Sequence, residues 1–86
     1  MATKGHRRIE IDDSIRLQMS VRIIEEEEIE KVVNDPQAEL LVHRRGRPIE
    51  GRFLYRGSPR PGRMLEVECQ LRADNGMYRV IKIREV

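Results

Sequence analysis

The chain of 86 residues is long enough for one small domain, and its 38% hydrophobic and 37% charged residues favour a folded protein over a disordered one. Its apolar runs span only a few residues, which excludes a membrane-spanning segment and a signal-peptide core. Cys69 is the single cysteine, so an internal disulfide is excluded and a reducing, cytoplasmic location is expected.

Charge is divided unevenly along the chain. Residues 8–40 carry four basic and ten acidic side chains, whereas residues 41–86 carry eleven basic and five acidic ones. This segregation indicates either a basic binding face or self-association of opposite faces. Arginine outnumbers lysine by fourteen to three, which is typical of bidentate phosphate or carboxylate contacts or simply of genomic base composition. We expect residues 1–7 to be a frayed or tag-like start and residues 8–86 to form a single domain.

A short edge strand and a first helix are predicted at the start of this domain. Alternation of apolar and charged residues over positions 8–12 favours the strand. Asp12-Asp13-Ser14 is typical of a helix N-cap, and the helix is predicted over residues 14–21. Its apolar residues form two adjoining stripes, Ile15 with Met19, and Leu17 with Val21 and Ile24.

A second helix is predicted from about Glu25. The run from Glu25 to Glu28 places negative charge at the positive end of the helix dipole, and Ile29, Val32 and Val33 form the apolar stripe. Asn34-Asp35-Pro36 ends this helix, because proline disfavours helical geometry in the residue before it.

Four strands are predicted in the second half of the chain. Residues 40–44 and 51–56 show strand patterns, with a turn at residues 45–48 between them. Two glycines and two prolines in residues 57–63 predict an exposed, basic loop. Residues 64–72 give the clearest alternation, with Cys69 on the apolar side as a small core residue.

The last strand is predicted over residues 77–86. Asn75-Gly76 precedes it and suits a type I′ hairpin turn. Adjacent apolar residues at positions 80–81 break the alternation and indicate either a bulge or burial on both faces of the strand. The predicted order is therefore β-α-α-β-β-β-β, an α+β class in which two N-terminal helices pack on one face of a roughly four-stranded antiparallel sheet.

The sequence contains no residue pattern typical of a metal site, a cofactor site or a catalytic nucleophile. Successive residues of a helix point about 100° apart, so the carboxylates of Glu25 to Glu28 do not converge on one cation, and no metal site is predicted. His6, His43 and Cys69 lack the spacing of zinc ligands. No Gly-rich phosphate loop occurs, and no cofactor is predicted.

The remaining signal is a basic stretch from His43 to Arg63, interleaved with Phe53 and Tyr55. Arginine can hold a phosphate while an aromatic ring stacks on a base, which is how single-stranded RNA is often bound. The alternative is a solvated face whose arginines keep the domain soluble and blunt strand pairing, with both rings facing the helices. The candidate nucleic-acid-binding residues are Arg44, Arg45, Arg47, Arg52, Arg56, Arg60 and Arg63.

Cleavage of RNA by its own 2′-hydroxyl would need a proton acceptor, a proton donor and cations on the phosphate. His43 is the one group of the basic stretch that titrates near neutrality, and Tyr55 can donate a proton or position the substrate. The alternative is that His43 is an ordinary surface residue at the end of a strand.

Three segments of the first half follow one another in a recognisable order: Arg22-Ile23-Ile24, Glu25 to Ile29, and Asn34-Asp35-Pro36. With the final hairpin at residues 77–83, they resemble a small bacterial domain family of unknown function. That family has His-Ala on the first helix, an Arg-Gly-Ile turn, Ser-Glu-Glu-x-Ile and a closing Asn-Pro. Ile23 thus stands in the place of the glycine, and Ser14-Ile15 in the place of His-Ala, so an activity that needs that histidine is not implied.

The family is similar in plan to the RelE/ParE and BrnT toxins, which pack two helices on a four-stranded antiparallel sheet. Members of that group bind an antitoxin, and several cleave RNA with basic residues on the sheet. The resemblance implies RNA, the ribosome or an antitoxin-like protein as partner. It also adds Arg79 and Lys82, on the last strand, to His43 and Tyr55 as candidate catalytic residues.

Two functional hypotheses follow. In the first, the domain binds RNA or a ribosomal surface through a basic sheet face, with a toxin-like ribonuclease as its enzymatic form. In the second, it is a non-enzymatic interaction module that binds a protein or a second copy of itself through an edge strand or its acidic helices.

Overall fold

The computed structural model describes residues 6–35, 39–41 and 51–86. Two helices and five strands follow one another in this part of the chain, and the α+β class predicted from the sequence is confirmed. In chain order they are β1 (Ile9–Glu10), α1 (Asp13–Arg22), α2 (Glu26–Asn34), β2 (Glu39–Leu41), β3 (Arg52–Arg60), β4 (Arg63–Leu71) and β5 (Tyr78–Glu85). Neither described helix is long and apolar enough to cross a membrane.

All five strands belong to one sheet, in the order β1-β5-β4-β3-β2. Strands β2 to β5 pair antiparallel with their neighbours, whereas β1 pairs parallel with β5. The prediction of a roughly four-stranded antiparallel sheet is corrected accordingly, because a fifth strand of two residues joins the edge and makes the sheet mixed. A parallel neighbour needs a long connection, and here the whole α1–β4 segment provides it.

Helix α1 has well-defined ends and a narrow contact with the core. At its N-terminus, the Oδ1 atom of Asp12 accepts a hydrogen bond from the backbone N–H of Ile15 at 3.0 Å, as the N-cap prediction requires. At its C-terminus, Ile23 adopts the left-handed conformation, with φ of 54°, and the N–H of Ile24 donates to the carbonyl of Met19 at 2.8 Å. Within the helix only Ile15 and Met19 are buried.

Helix α2 begins with a capping box. Glu25 is the N-cap, and the carboxylate of Glu28 accepts a hydrogen bond from the backbone N–H of Glu25 at 3.1 Å. The predicted apolar stripe of Ile29, Val32 and Val33 is fully buried against the sheet.

The core lies between the two helices and one face of the sheet. Strands β4 and β5 supply its centre, where the alternation predicted over residues 64–72 places Leu65, Val67 and Cys69 side by side at zero exposure. Cys69 is therefore the small core residue that the sequence indicates. Burial raises the pKa of its thiol to about 12.

The prediction of an exposed loop over residues 57–63 is wrong. Strand β3 continues to Arg60 and β4 begins at Arg63, so only Pro61 and Gly62 form the turn, where Gly62 has a φ of 84°. Gly57 and Pro59 are both buried, and a Cβ at Gly57 would lie 3.6 Å from a methyl carbon of Val32. The β3–β4 register shifts between Gly57 and Arg60, which accommodates a proline that has no N–H to donate.

The hairpin between β4 and β5 is confirmed, but its predicted turn type is wrong. Six residues, 72–77, connect the strands, and Gly76 has a positive φ whereas Asn75 does not, so the type I′ requirement is not met. Instead the Oδ1 atom of Asn75 accepts a hydrogen bond from the backbone N–H of Met77 at 2.9 Å. The predicted bulge is present, because Glu68 pairs with Lys82 and the next residue, Cys69, pairs with Val80.

Candidate interaction surfaces

Part of the predicted basic site lies outside the described residues. His43, Arg44, Arg45 and Arg47 belong to this part, as do the predicted turn at residues 45–48 and the end of the strand predicted over residues 40–44. The structure does place Arg52, Arg56, Arg60, Arg63, Tyr55, Arg79 and Lys82.

The sheet face opposite the helices carries basic residues on β3 and β5 and acidic residues on the central strand β4. Directly paired residues of antiparallel strands point to the same face. Arg56, Glu66 and Arg84 form one such row, and Leu54, Glu68 and Lys82 form another. Each carboxylate of β4 therefore lies between cationic strands.

The two β3 arginines of this face are held by β4. The Arg52 guanidinium lies 3.1 Å from the carboxylate of Glu68 and donates to the Oε1 atom of Gln70 at 2.9 Å. Arg56 donates from Nε to the carboxylate of Glu66 at 2.9 Å, and Glu66 is buried. These guanidinium groups neutralise carboxylates of the same sheet.

On β5, the bulge turns Arg79 and Lys82 to the exposed side of the strand. Arg79 lies 3.0 Å from the carboxylate of Asp12, which couples β5 to the N-terminus of α1. The hydrogen bond from Ile15, together with those from Arg79 and Ser14, lowers the pKa of Asp12 to about 2. Within the described ranges, Lys82 has no ion-pair partner.

Arg60 and Arg63 lie at a different place, the junction of the two helices with the β3–β4 turn. The two oxygens of Glu28 are 3.1 Å from Arg60 and 2.8 Å from Arg63. Arg63 also donates to the carbonyls of Ile23 at 3.1 Å and Arg22 at 3.4 Å, and pairs with Glu85 at 3.2 Å. Its side chain is only 12% exposed, so Arg63 joins the end of α1, the start of α2 and the sheet.

The carboxylate of Glu28 is stabilised in its ionised form at this junction. Burial opposes ionisation most strongly, but the backbone N–H of Glu25 and the guanidinium groups of Arg63 and Arg60 together outweigh it, and the pKa of Glu28 is lowered. The carboxylate that closes the capping box is thus also the anchor of two arginines.

The described arginines of the basic stretch therefore do not converge on one platform. Arg52 and Arg56 lie on the exposed sheet face, Arg60 and Arg63 lie at the helix junction, and each contacts a carboxylate. Overall charge agrees with this arrangement. The undescribed ranges contain four of the seventeen basic residues and one of the fifteen acidic ones, which leaves thirteen basic against fourteen acidic residues in the described ranges.

The aromatic residues lie on the helix side of the sheet, as the alternative interpretation predicts. Tyr55 is 5% exposed and stacks with Phe53 at a centroid distance of 6.3 Å, while the Arg7 guanidinium lies 5.4 Å from the Tyr55 ring centre. Burial raises the pKa of Tyr55 to about 12. Tyr55 thus does not share a face with Arg52 and Arg56. Arg7, assigned above to a frayed start, also exchanges two hydrogen bonds with Asn34.

A surface that the sequence interpretation missed lies on the outward side of α1. Leu17 is 68% exposed and Val21 is 75% exposed, whereas Ile24, placed in the same stripe, is buried. Ser14, Leu17, Gln18 and Val21 follow the i, i+3, i+4, i+7 pattern of one helix face, and none of them is charged. The signal was available, because residues 15 and 17 point about 200° apart and cannot both face the sheet.

Ile23, just beyond the end of the helix, is a third exposed aliphatic residue. It is the one non-glycine residue with a positive φ among those described, and its side chain is 74% exposed. A β-branched residue in the left-handed region is strained, and such residues concentrate at functional sites. Ile23 and Pro59 line a cleft of about 310 Å³ together with Glu25, Glu27, Lys31 and Arg60. We call Ser14, Leu17, Gln18, Val21 and Ile23 the α1 face.

Two further observations concern metal ligands and similarity to known proteins. Within the ranges that the structure describes, no three His, Cys, Asp or Glu side chains are grouped as metal ligands. No protein-family model, curated protein or solved structure matches the chain. The similarity to a toxin family therefore stays a prediction, and the surfaces must be judged on their own chemistry.

Proposed function

We propose that the chain is a non-enzymatic association domain that binds a protein through the α1 face. The observation that carries this proposal is the exposure of three large aliphatic side chains, Leu17, Val21 and Ile23, within seven consecutive residues. The helix face that holds the first two carries no charged residue. Fully burying such a side chain contributes about 1.5–3 kcal/mol, so an apolar partner surface gains substantially by covering all three.

Comparison of the two helices supports this proposal. Both pack on the same sheet, and residues on the opposite side of each helix are exposed. Helix α2 begins with exposed Glu25, Glu26 and Glu27, which are well hydrated and costly to desolvate. Helix α1 instead exposes Leu17 and Val21 in a protein in which 37% of residues are charged. An apolar surface is therefore concentrated on one helix, as at protein interfaces.

The nucleic-acid hypothesis receives less support from the described residues. Arginines that bind phosphate must exchange their present carboxylate partners for it, which reduces the gain. None of the three rings stands on the sheet face that carries Arg52 and Arg56, and the described ranges have no excess of positive charge. RNA binding, toxin-like cleavage and roles for His43, Arg44, Arg45 and Arg47 stay predictions that rest on residues 42–50.

Photo-crosslinking in cells tests the association function. A photoreactive amino acid replaces Leu17 in the full chain, and matched samples carry it at Arg84 on β5 and at Ala73 in the β4–β5 turn, which are also exposed. We expect a discrete intermolecular adduct from position 17 and none from the two control positions. Absence of an intermolecular adduct at position 17, or equal adducts at all three positions, would refute the proposal.

A further inference from the structure

We infer that the partner of the α1 face is a second copy of this chain, and that two α1 helices pack antiparallel about a two-fold axis. This inference rests on the proposed function, because it names the protein that covers the same surface. In a two-fold contact, each residue meets residues from the same surface of the other copy, so the surface must be compatible with itself.

The absence of charge makes the α1 face compatible with itself. If the start of α2 met its own copy, the carboxylates of Glu25, Glu26 and Glu27 would face one another, and like charges at close range are costly. The exposed β5 row would likewise bring Lys82 and Arg84 against their own copies. Leu17 and Val21 meet no such repulsion, since their neighbours on the helix face are Ser14 and Gln18.

The spacing of the apolar residues fits an antiparallel pair. Leu17 and Val21 are one helical turn apart, so a two-fold axis that crosses the outward side of α1 midway between them places Leu17 of each copy against Val21 of the other. The helix dipoles then run in opposite directions, and each end of the pair holds one Asp13 and one Arg22. A parallel pair would instead bring the two Asp13 residues to one end and the two Arg22 residues to the other.

The size of the surface predicts a weak dimer. A standard stable interface buries about 800 Å² on each partner, which exceeds what two aliphatic side chains supply. Ile23 adds one further exposed aliphatic side chain beyond the C-terminus of α1, but the cleft beside it is lined mainly by charged residues and adds little apolar area. We therefore expect reversible dimerisation with a dissociation constant in the micromolar range, not a permanent dimer.

Analytical ultracentrifugation of the full chain tests the inference. We expect the weight-average mass to rise from 10.2 kDa towards twice that value as concentration increases from low micromolar to near millimolar. Leu17→Glu places two carboxylates in the contact and should weaken dimerisation by about tenfold or more. Val86→Glu is the matched control, since Val86 is also an exposed aliphatic residue but follows the end of β5. This variant should dimerise as the original protein does.

Disulfide crosslinking tests the orientation. Copies that carry Leu17→Cys, mixed with copies that carry Val21→Cys, should form a disulfide-linked dimer, whereas each variant alone should form much less, because the antiparallel pair places position 17 against position 21 of the other copy. Thermal melting of each variant by circular dichroism verifies that the domain stays folded. A dimer unaffected by Leu17→Glu, or a mixed pair that crosslinks no more than either cysteine variant alone, would overturn this arrangement.

The two proposals fail in different ways. If the chain stays monomeric while position 17 crosslinks to another protein, the second-copy inference is overturned and the association function stands. If the chain stays monomeric and no intermolecular adduct forms, both are overturned. An adduct from position 17 to residues 1–5 or 42–50 of the same chain would also overturn both, because the α1 face would then be covered from within.

Discussion

Because Ile23 adopts the left-handed conformation, we expect glycine to give a more stable protein than alanine at this position, the reverse of the order inside a helix. In a helix, glycine is less stable than alanine, but at a residue with φ of 54° the missing Cβ removes the strain. Ile23→Gly and Ile23→Ala both delete the exposed aliphatic side chain, so the difference between them isolates the backbone. The same pair of substitutions at Val21, an exposed position inside α1, is the matched comparison.

The magnitude follows from two opposing contributions. The left-handed region costs an L-residue about 1–2 kcal/mol, which Ile23→Ala retains and Ile23→Gly removes. Glycine also has more conformational freedom in the unfolded chain, which lowers stability by about 0.4–1 kcal/mol. Ile23→Gly should therefore be more stable than Ile23→Ala by about 0.5–1 kcal/mol. Val21→Gly should be less stable than Val21→Ala by about 1 kcal/mol, the usual difference within a helix.

Chemical and thermal unfolding followed by circular dichroism measure both differences. For a domain of this size, 1 kcal/mol corresponds to about 4–8 °C in melting temperature, so Ile23→Gly should melt about 2–8 °C above Ile23→Ala. The order should be reversed at Val21. If alanine is the more stable substitution at both positions, residue 23 does not hold the left-handed conformation in solution and the strain argument is refuted.

Three further predictions concern ion pairs. Arg63→Ala should lower the free energy of unfolding by about 2–3 kcal/mol in urea titrations because it leaves Glu28 without its closest cation, whereas Arg60→Ala, at a side chain 57% exposed, should lower it by less than about 1 kcal/mol. The pKa of Asp12 is lowered from 3.8 to about 2, so its ionised form stabilises the fold fully above about pH 4 and this contribution is lost as pH falls towards 2. Asp12→Asn should flatten that part of the stability profile. The double variant Arg52→Ala with Arg56→Ala should bind labelled single-stranded RNA at low salt no differently from the original protein in fluorescence anisotropy, because both arginines already contact carboxylates of β4.

Each of these has a contradicting result. Equal losses for Arg63→Ala and Arg60→Ala would show that the buried junction adds nothing beyond a surface ion pair. An acid stability profile that keeps its shape in Asp12→Asn would assign the acid sensitivity to other carboxylates. A weaker or flatter salt dependence of RNA binding in the double arginine variant would return the sheet face to the nucleic-acid hypothesis.

Local patterns predicted most of the secondary structure, since they depend on neighbouring residues. Alternation along β4 needs only the period of a strand, and the caps at Asp12 and Glu25 need only a side chain and nearby backbone N–H groups. The continuation of β3 through Gly57 and Pro59 was missed because composition alone favours a loop. What decides it is distant in sequence: Gly57 lies against Val32 of α2 and pairs with Leu65 of β4.

The pairing of the arginines could not be predicted for a similar reason. Arg52 meets Glu68 only because β3 and β4 pair in one particular register, and Arg63 meets Glu28 only because α2 begins beside the β3–β4 turn. A one-residue change of register would turn the same side chains to the opposite face. An arginine-rich sequence is therefore as consistent with ion pairs to carboxylates of the same protein as with binding of phosphate.

Helix α1 is fixed mainly at its two ends, and this gives its outward face a physical advantage in binding. Asp12 holds the first turn through Ile15 and joins it to Arg79, while Arg63 binds the carbonyls of the last turn. Such fixed ends hold the backbone beneath Leu17 in place although its side chain makes no core contact. Ordering a surface before it binds reduces the entropy lost on association. A small apolar face on a rigid helix can therefore bind a partner that the same residues on a loose segment could not.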